Sequence, residues 1–270
     1  MAEIRIGIVG AAGRMGKMLI EEAAGTAGAV LAAASERAGH DSVGQDAGSF
    51  AGLKPLGVKI GASAEDVFAA SDAVIDFTAP KATAAHAALA AARGKALVIG
   101  TTGIDGAEAA AIREAGRKAP IVWAPNMSAG VVLMFALAER VAKALGPDYD
   151  IEILEMHHRH KVDAPSGTAL GLGEAAAKGR GVALADVAVR GRDGITGARK
   201  RGAIGFAALR GGDIVGDHTV IFAGEGERIE LVHKASNRRI YSRGALRAAL
   251  WVKGRAPGVY DMADILGIKG

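Results

Sequence analysis

The chain has 270 residues, half of them hydrophobic, no cysteine and a formal net charge of +4. That length admits one large domain or two moderate ones, and the absence of thiols excludes disulfides, cysteine nucleophiles and thiolate metal sites, in keeping with a reducing cytoplasm. The densest basic run, residues 190–201, is broken by glycines and carries no aromatic side chain, so it reads as a solvated loop and not as a nucleic-acid surface.

The N-terminus runs straight into apolar residues 4–9, a buried-strand pattern and not a signal peptide. The most apolar helix, near residues 131–138, is too short to span a bilayer. A soluble, cytoplasmic protein with neither membrane nor nucleic-acid partners is expected.

Residues 4–9 lead into Gly10-Ala11-Ala12-Gly13-Arg14-Met15-Gly16 and then a helical pattern. Strand, glycine turn and helix in that order let backbone N–H groups approach a pyrophosphate. The Gly-x-x-Gly-x-x-Gly spacing is weak as a lone motif, but its context strengthens it. A second strand, 29–34, ends at Glu36-Arg37, twenty residues past Gly16. An acidic residue there suits the ribose 2′-hydroxyl of NAD, and an arginine suits the 2′-phosphate of NADP. With both side by side, use of either NADPH or NADH is expected.

Further βα units follow. Strands are expected at 73–78, 96–99 and 121–123, and their tips include Gly100-Thr101-Thr102 and Ala124-Pro125-Asn126-Met127. In an open parallel sheet ligands bind beyond the carboxyl ends of the strands, so these two tips are the expected walls of a nicotinamide pocket. His86, inside an alanine-rich helix, reads as a packing or surface residue.

Ser128 can cap a long apolar helix, 131–145, that ends at Gly146-Pro147. Strands are expected at 150–156, 202–210, 218–222 and 228–233, with a hairpin at 224–227. Strands in succession indicate a mixed or antiparallel sheet. A last helix, from about Arg243 to Val252, and a tail with Ile265-Leu266 would return to the first domain. The expected fold is α/β: a Rossmann-type doubly wound parallel sheet (1–127 and 238–270) plus an α+β substrate and oligomerisation domain with a mixed sheet (128–237). His218 and His233 fall in strand patterns, where core or sheet-face roles are expected.

Residues 155–169 carry the densest chemistry. Three of the seven histidines, His157, His158 and His160, stand with Arg159 and Lys161 after a strand, and Ser166 is positioned to cap the next helix. Imidazoles move protons near neutral pH, and a helix N-terminus attracts anions, so an acidic substrate that needs a proton suits this stretch. An idle basic turn and a metal site are the rival readings. Metal is disfavoured by the neighbouring cations and by the absence of His-Glu-x-x-His spacing.

These motifs together, with Asp76-Phe77-Thr78 and Gly216-Asp217-His218-Thr219-Val220, resemble the 4-hydroxy-tetrahydrodipicolinate (dihydrodipicolinate) reductase family of lysine and diaminopimelate biosynthesis. The likeness covers nearly the whole chain, and the run His157-His158-x-x-Lys161-x-Asp163-x-Pro165-Ser166-Gly167-Thr168 is its most specific part. The resemblance implies that His157 is the acid/base residue, Lys161 a proton donor and His158 a substrate contact. It places Gly167 and Thr168 on a carboxylate of a small dicarboxylate imine. Gly10, Ala11, Ala12, Gly13, Arg14, Met15, Glu36, Arg37, Gly100, Thr101, Thr102, Ala124, Pro125, Asn126 and Met127 would hold NADPH or NADH, with no metal. It also implies a homotetramer assembled through the second sheet. A different imine-reducing Rossmann dehydrogenase and a non-catalytic NAD(P)-sensing module are the alternatives.

Overall fold

The computed structural model describes residues 3–269. Its first half alternates strand and helix: β1 (Ile4–Val9), α1 (Arg14–Gly25), β2 (Ala29–Ser35), α2 (Ala47–Phe50), β3 (Ile60–Gly61), α3 (Ala64–Ala70), β4 (Ala73–Asp76), α4 (Pro80–Arg93), β5 (Ala96–Ile99), α5 (Gly106–Ala115) and β6 (Pro120–Trp123). Then come α6 (Ala129–Leu145), a 3-10 turn (Gly146–Asp148), β7 (Asp150–His157), α7 (Gly167–Gly179), α8 (Leu184–Val187), β8 (Ala188–Val189), β9 (Ile204–Arg210), β10 (Gly216–Ala223) and β11 (Arg228–Ala235). The chain closes with α9 (Arg239–Val252), β12 (Gly258–Tyr260) and α10 (Met262–Leu266). Two compact units result, residues 1–128 with 239–270 and residues 129–238.

Among the described residues, the first unit holds a seven-stranded sheet in the order β12-β6-β5-β4-β1-β2-β3, every pair parallel. The strand order reverses at β1, which makes the gap between the tips of β1 and β4 the switch point where such sheets bind ligands. Both faces are covered by helices, and β4 and β5 are buried at every position, which is why these strands read as unbroken apolar runs.

The second unit holds a mixed sheet of five strands among the described residues, β11-β10-β7-β9-β8. β10 runs antiparallel to β11 and β7, while β9 runs parallel to β7 and β8. Both β7 and β10 alternate buried and half-buried positions, so one face packs under α6 and α7. Ile151, Ile153, Val220, Phe222, Leu172 and Phe206 form that core. Helices α6 and α7 approach closely because α7 presents glycine: a Cβ at Gly179 would lie 2.2 Å from the Glu139 carbonyl oxygen.

Several expectations change. β4 stops at Asp76, not Thr78, because the Thr78 N–H and hydroxyl both turn back to the Asp76 carboxylate instead of continuing the ladder. α9 begins at Arg239, one turn before Arg243. β12, unmarked in the sequence, adds a strand beside β6. The basic run 190–201 is an exposed loop, as expected, but it is tethered: Arg192 makes a two-point contact with Glu152, and Arg199 reaches Glu152, Asp150 and the Ala203 carbonyl.

Candidate active site

In the first unit the turn after β1 is shaped by glycine. Gly10 has φ +72°, which L side chains rarely adopt, and a Cβ at Gly16 would lie 2.3 Å from the Gly10 carbonyl oxygen. Gly13 occupies the N-cap of α1 and supplies no side-chain cap, and no acidic residue stands in the first turn. The first-turn N–H groups are therefore offered outward with the helix dipole behind them, the environment a pyrophosphate needs. Ala11 is buried beneath the turn, while Gly13 and Arg14 are exposed on it. Glu36 accepts from the N–H of Ala12 and of Arg37, which fastens the β2 tip to the turn. Arg37 itself is exposed.

Beside the turn lies a cavity of about 360 Å³. Met15, Gly100, Thr101, Thr102, Pro125, Asn126 and Met127, all expected, line it, and Phe77, Thr78 and Tyr241 join them. Ala124 is buried behind the wall. A buried carboxylate organises that wall. Asp76, fully buried, accepts from Thr78 at 2.8 and 2.6 Å and lies 2.8 Å from His86 Nδ1, while Thr101 Oγ1 accepts from Thr78 N and Thr83 Oγ1. His86 packs beside Phe68, as expected of a helix residue, and is also the partner of Asp76, its ring 13% exposed. An aspartate at the end of an apolar strand was the available signal.

In the second unit β7 carries the chemistry outward by alternation: Ile151, Ile153, Glu155 and His157 share the buried face. Glu155 is 1% exposed. Its Oε2 meets His157 Nδ1 at 2.6 Å and its two oxygens accept from Arg210 at 2.7 and 2.8 Å. Oε1 also accepts from Ser166 N at 3.1 Å, so the same carboxylate anchors the cap of α7. Burial works to raise the Glu155 pKa, but the Arg210 and His157 hydrogen bonds outweigh it and hold the group below the usual range. Glu155 is therefore an anion at neutral pH that fixes the His157 ring and leaves Nε2 as the exchanging nitrogen. Nε2 points toward Gly216, where a Cβ would come within 3.0 Å.

His218, across the ladder from Glu155, packs edge-on against His157 with ring centres 5.1 Å apart. Its Nε2 is 3.0 Å from Ser166 Oγ, which accepts from Ala169 N as the helix cap. Burial, reinforced by the nearby His157, pushes the His218 pKa down to about 4. The strand-pattern reading placed His218 in the sheet but missed its bond to the α7 cap.

After β7 the chain turns over the β9–β10 connection, His158 N–H donating to Ile214 O. His158 has its pKa lowered, by desolvation first and then by Arg238 and His157. Lys161 Nζ bonds Asp163 at 2.8 Å. Gly167, the first residue of α7, is exposed, and a Cβ there would meet nothing within 4 Å; Thr168 is half-buried beside it. Open backbone at a helix start, with two histidines and a lysine on the adjoining loop, can hold an anion and exchange protons with it. His158 and His160 have their rings 6.3 Å apart, while His157 is turned onto Glu155. No group of three His, Asp or Glu side chains converges for a metal among the described residues.

The glycine turn at the switch point of a parallel sheet defines a dinucleotide-binding unit. The family model described as "Dihydrodipicolinate reductase, N-terminus" matches residues 4–127, and its C-terminal counterpart matches residues 130–266. A 4-hydroxy-tetrahydrodipicolinate reductase of Dinoroseobacter shibae is 59% identical over 97% of both chains, and one of Rhodopseudomonas palustris is 56% identical over 99% of both. The chain belongs to the dihydrodipicolinate reductase family. Among solved structures, a dipicolinate-bound dihydrodipicolinate reductase of a Paenisporosarcina species superposes with a TM-score of 0.78, covering 97% of this chain and 98% of that one at 24% identity. An amine dehydrogenase of Mycobacterium smegmatis gives 0.60 at 13% identity, covering 96% and 94%. The fold is thus shared beyond the family. No described helix is long and apolar enough to cross a membrane.

Proposed function

We propose that the protein reduces 4-hydroxy-tetrahydrodipicolinate to tetrahydrodipicolinate with loss of water, in the diaminopimelate route to lysine, in the cytoplasm. The observation that carries this reading is the buried Glu155 holding both His157 and the start of α7. It ties a proton donor to an anion seat on one rigid strand, as reduction of an anionic imine requires. The relatives named for this reaction support the substrate.

Loss of the 4-hydroxyl and a C3 hydrogen as water leaves a ring conjugated with the imine, and the reduced nicotinamide, when bound, would supply a hydride to its C4, leaving an enamine. The first-turn N–H groups of α1, with Gly10, Ala11, Ala12, Gly13, Arg14 and Met15, hold the pyrophosphate. Glu36 and Arg37 address the adenosine ribose, so both NADPH and NADH are used. Gly100, Thr101, Thr102, Ala124, Pro125, Asn126 and Met127 flank the nicotinamide. Residues 1–127 and 238–270 thereby form the dinucleotide-binding domain, and residues 128–237 bind substrate and assemble the tetramer.

Gly167 N–H and Thr168 bind one substrate carboxylate and His158 contacts the ring. The protein's chemical task is then to deliver a proton to C3, which general acid catalysis accelerates by roughly 10²–10⁴-fold. His157, steadied through Nδ1, or Lys161 delivers it. A homotetramer built on the second sheet fits the exposed Leu209, Ile229 and Val232 of β9 and β11.

The test is NAD(P)H oxidation with enzymatically generated 4-hydroxy-tetrahydrodipicolinate, comparing both cofactors. Turnover is expected with each; none with either rules out the reaction.

A further inference from the structure

A second cavity, of about 450 Å³, opens in the second unit among the C-terminal ends of α6 and α7, α8 and the segment before β9. It lies beside Tyr149, just before β7, whereas His157 ends that strand. Eight residue steps at about 3.3 Å separate them by roughly 26 Å, so it is remote from the proton-transfer residues of the same unit. Its volume is in the range of small-molecule sites.

The lining is cationic. Lys143, Arg180, Lys200 and Arg201 face it, against one carboxylate, Asp186. Arg201 is engaged with Asp148 at 2.6 Å, but Arg180 has no carboxylate partner among the described residues. Its Nη2 donates to the carbonyls of Gly146 and Tyr149, and its Nε and Nη1 are buried without a hydrogen bond. Burial and the nearby Arg199 depress its pKa, as expected of a guanidinium short of negative charge. A half-buried cation with two donors unpaired is short of negative charge, and an anion nearby offsets part of that cost. The end of α7 does not do so, since its closing carbonyls are taken by the N–H groups of Arg180, Gly181 and Val182, and the end of α6 offers only the Gly146 carbonyl.

The remaining wall is apolar, with Pro147, Val182 and Val187, and Val182 is 42% exposed. The wall that carries Lys200 is fixed, because Arg199 is bound to Asp150, Ile151 O and Ala203 O. We propose that this cavity is a second binding site, separate from the substrate site, for a small carboxylate on an apolar body. The carboxylate is held by Lys143 and Lys200, with the Arg180 guanidinium supplying positive charge behind them and the ligand's apolar part against Val182 and Val187.

The probe is benzoate, titrated calorimetrically into the full-length protein, with neutral benzamide and inorganic phosphate as controls. Saturable benzoate binding is expected, with Kd raised about tenfold or more in Arg180→Gln, lost in the surface double variant Lys143→Gln/Lys200→Gln, and retained in Thr168→Val. The double variant keeps the test open if Arg180→Gln does not fold. The proposal is overturned if benzoate does not bind, if it binds the double variant unchanged, or if Thr168→Val abolishes it. It is equally overturned if benzamide or phosphate binds as well as benzoate.

Discussion

Glu155 and His157 stand two residues apart on the buried face of β7, carboxylate to imidazole Nδ1 at 2.6 Å. Arg210, from the neighbouring strand, clasps the same carboxylate. The pair makes the histidine's orientation a property of the sheet and not of the loop that follows it.

Replacing Glu155 with Gln removes the charge that Arg210 and His157 share. Unfolding should cost about 3 kcal/mol less, and kcat should fall while NADPH affinity stays near normal. Denaturation and steady-state kinetics on the same preparation check both. His157→Gln and Lys161→Ala should lower kcat by roughly 10²–10⁴-fold with similarly intact cofactor binding; near-normal turnover in either variant removes that residue's proposed role.

His218 links stability to pH. Its folded pKa of about 4 lies below the ordinary imidazole value of 6.5, so the unfolded chain takes up the proton first. The contribution of the neutral imidazole is full above pH 6.5 and is lost as pH falls toward 4, by about 3 kcal/mol in all. Chemical denaturation at pH 7, 5.5 and 4.5 should show this loss in the wild type. It should be absent from His218→Gln, and equal slopes in the two proteins would refute the assignment.

Gly244 tests the cofactor pocket from behind. A Cβ on this α9 residue would lie 1.7 Å from the carbonyl oxygen of Met127, which lines the cavity. Gly244→Ala should displace Met127, cost about 1–3 kcal/mol of stability and raise KM for the cofactor more than KM for the substrate.

Asp76→Ala should leave the Thr78 hydroxyl and the His86 imidazole without their buried partner, a penalty of about 1–3 kcal/mol per group. Cofactor affinity, read by fluorescence titration, should weaken with it. Asp76→Asn, which keeps an acceptor, should restore part of that affinity, whereas a purely global loss of stability would give no such rescue.

Arg37→Ala should penalise NADPH more than NADH, because only NADPH carries a 2′-phosphate. Equal losses in kcat/KM with both cofactors would show that Arg37 does not read it.

The parallel sheet was legible because β4 and β5 are apolar at nearly every position and the glycine turn stands between a strand and a helix. The short elements α2, β3 and β12 carry too few residues for a periodic pattern, and their pairing partners are distant in sequence. In the second unit the histidine run and the Ser166 cap could be read locally. The Glu155–Arg210 bond spans 55 positions and depends on β9 lying parallel beside β7, which no local pattern encodes. One clue was present: Glu155 and His218 occupy the apolar parity of their strands, where a titratable side chain needs a dedicated partner.

The alternation along β7 also ties heredity to chemistry. Ile151 and Ile153 point into the core from the same side as Glu155 and His157, so a one-residue slip of the strand's register would invert all four together. Core and proposed proton donor cannot be lost separately by that route. A lineage can drift in the loop that carries His158 and Lys161 and still fold, but a slip of β7 by one residue forfeits the protein along with its activity.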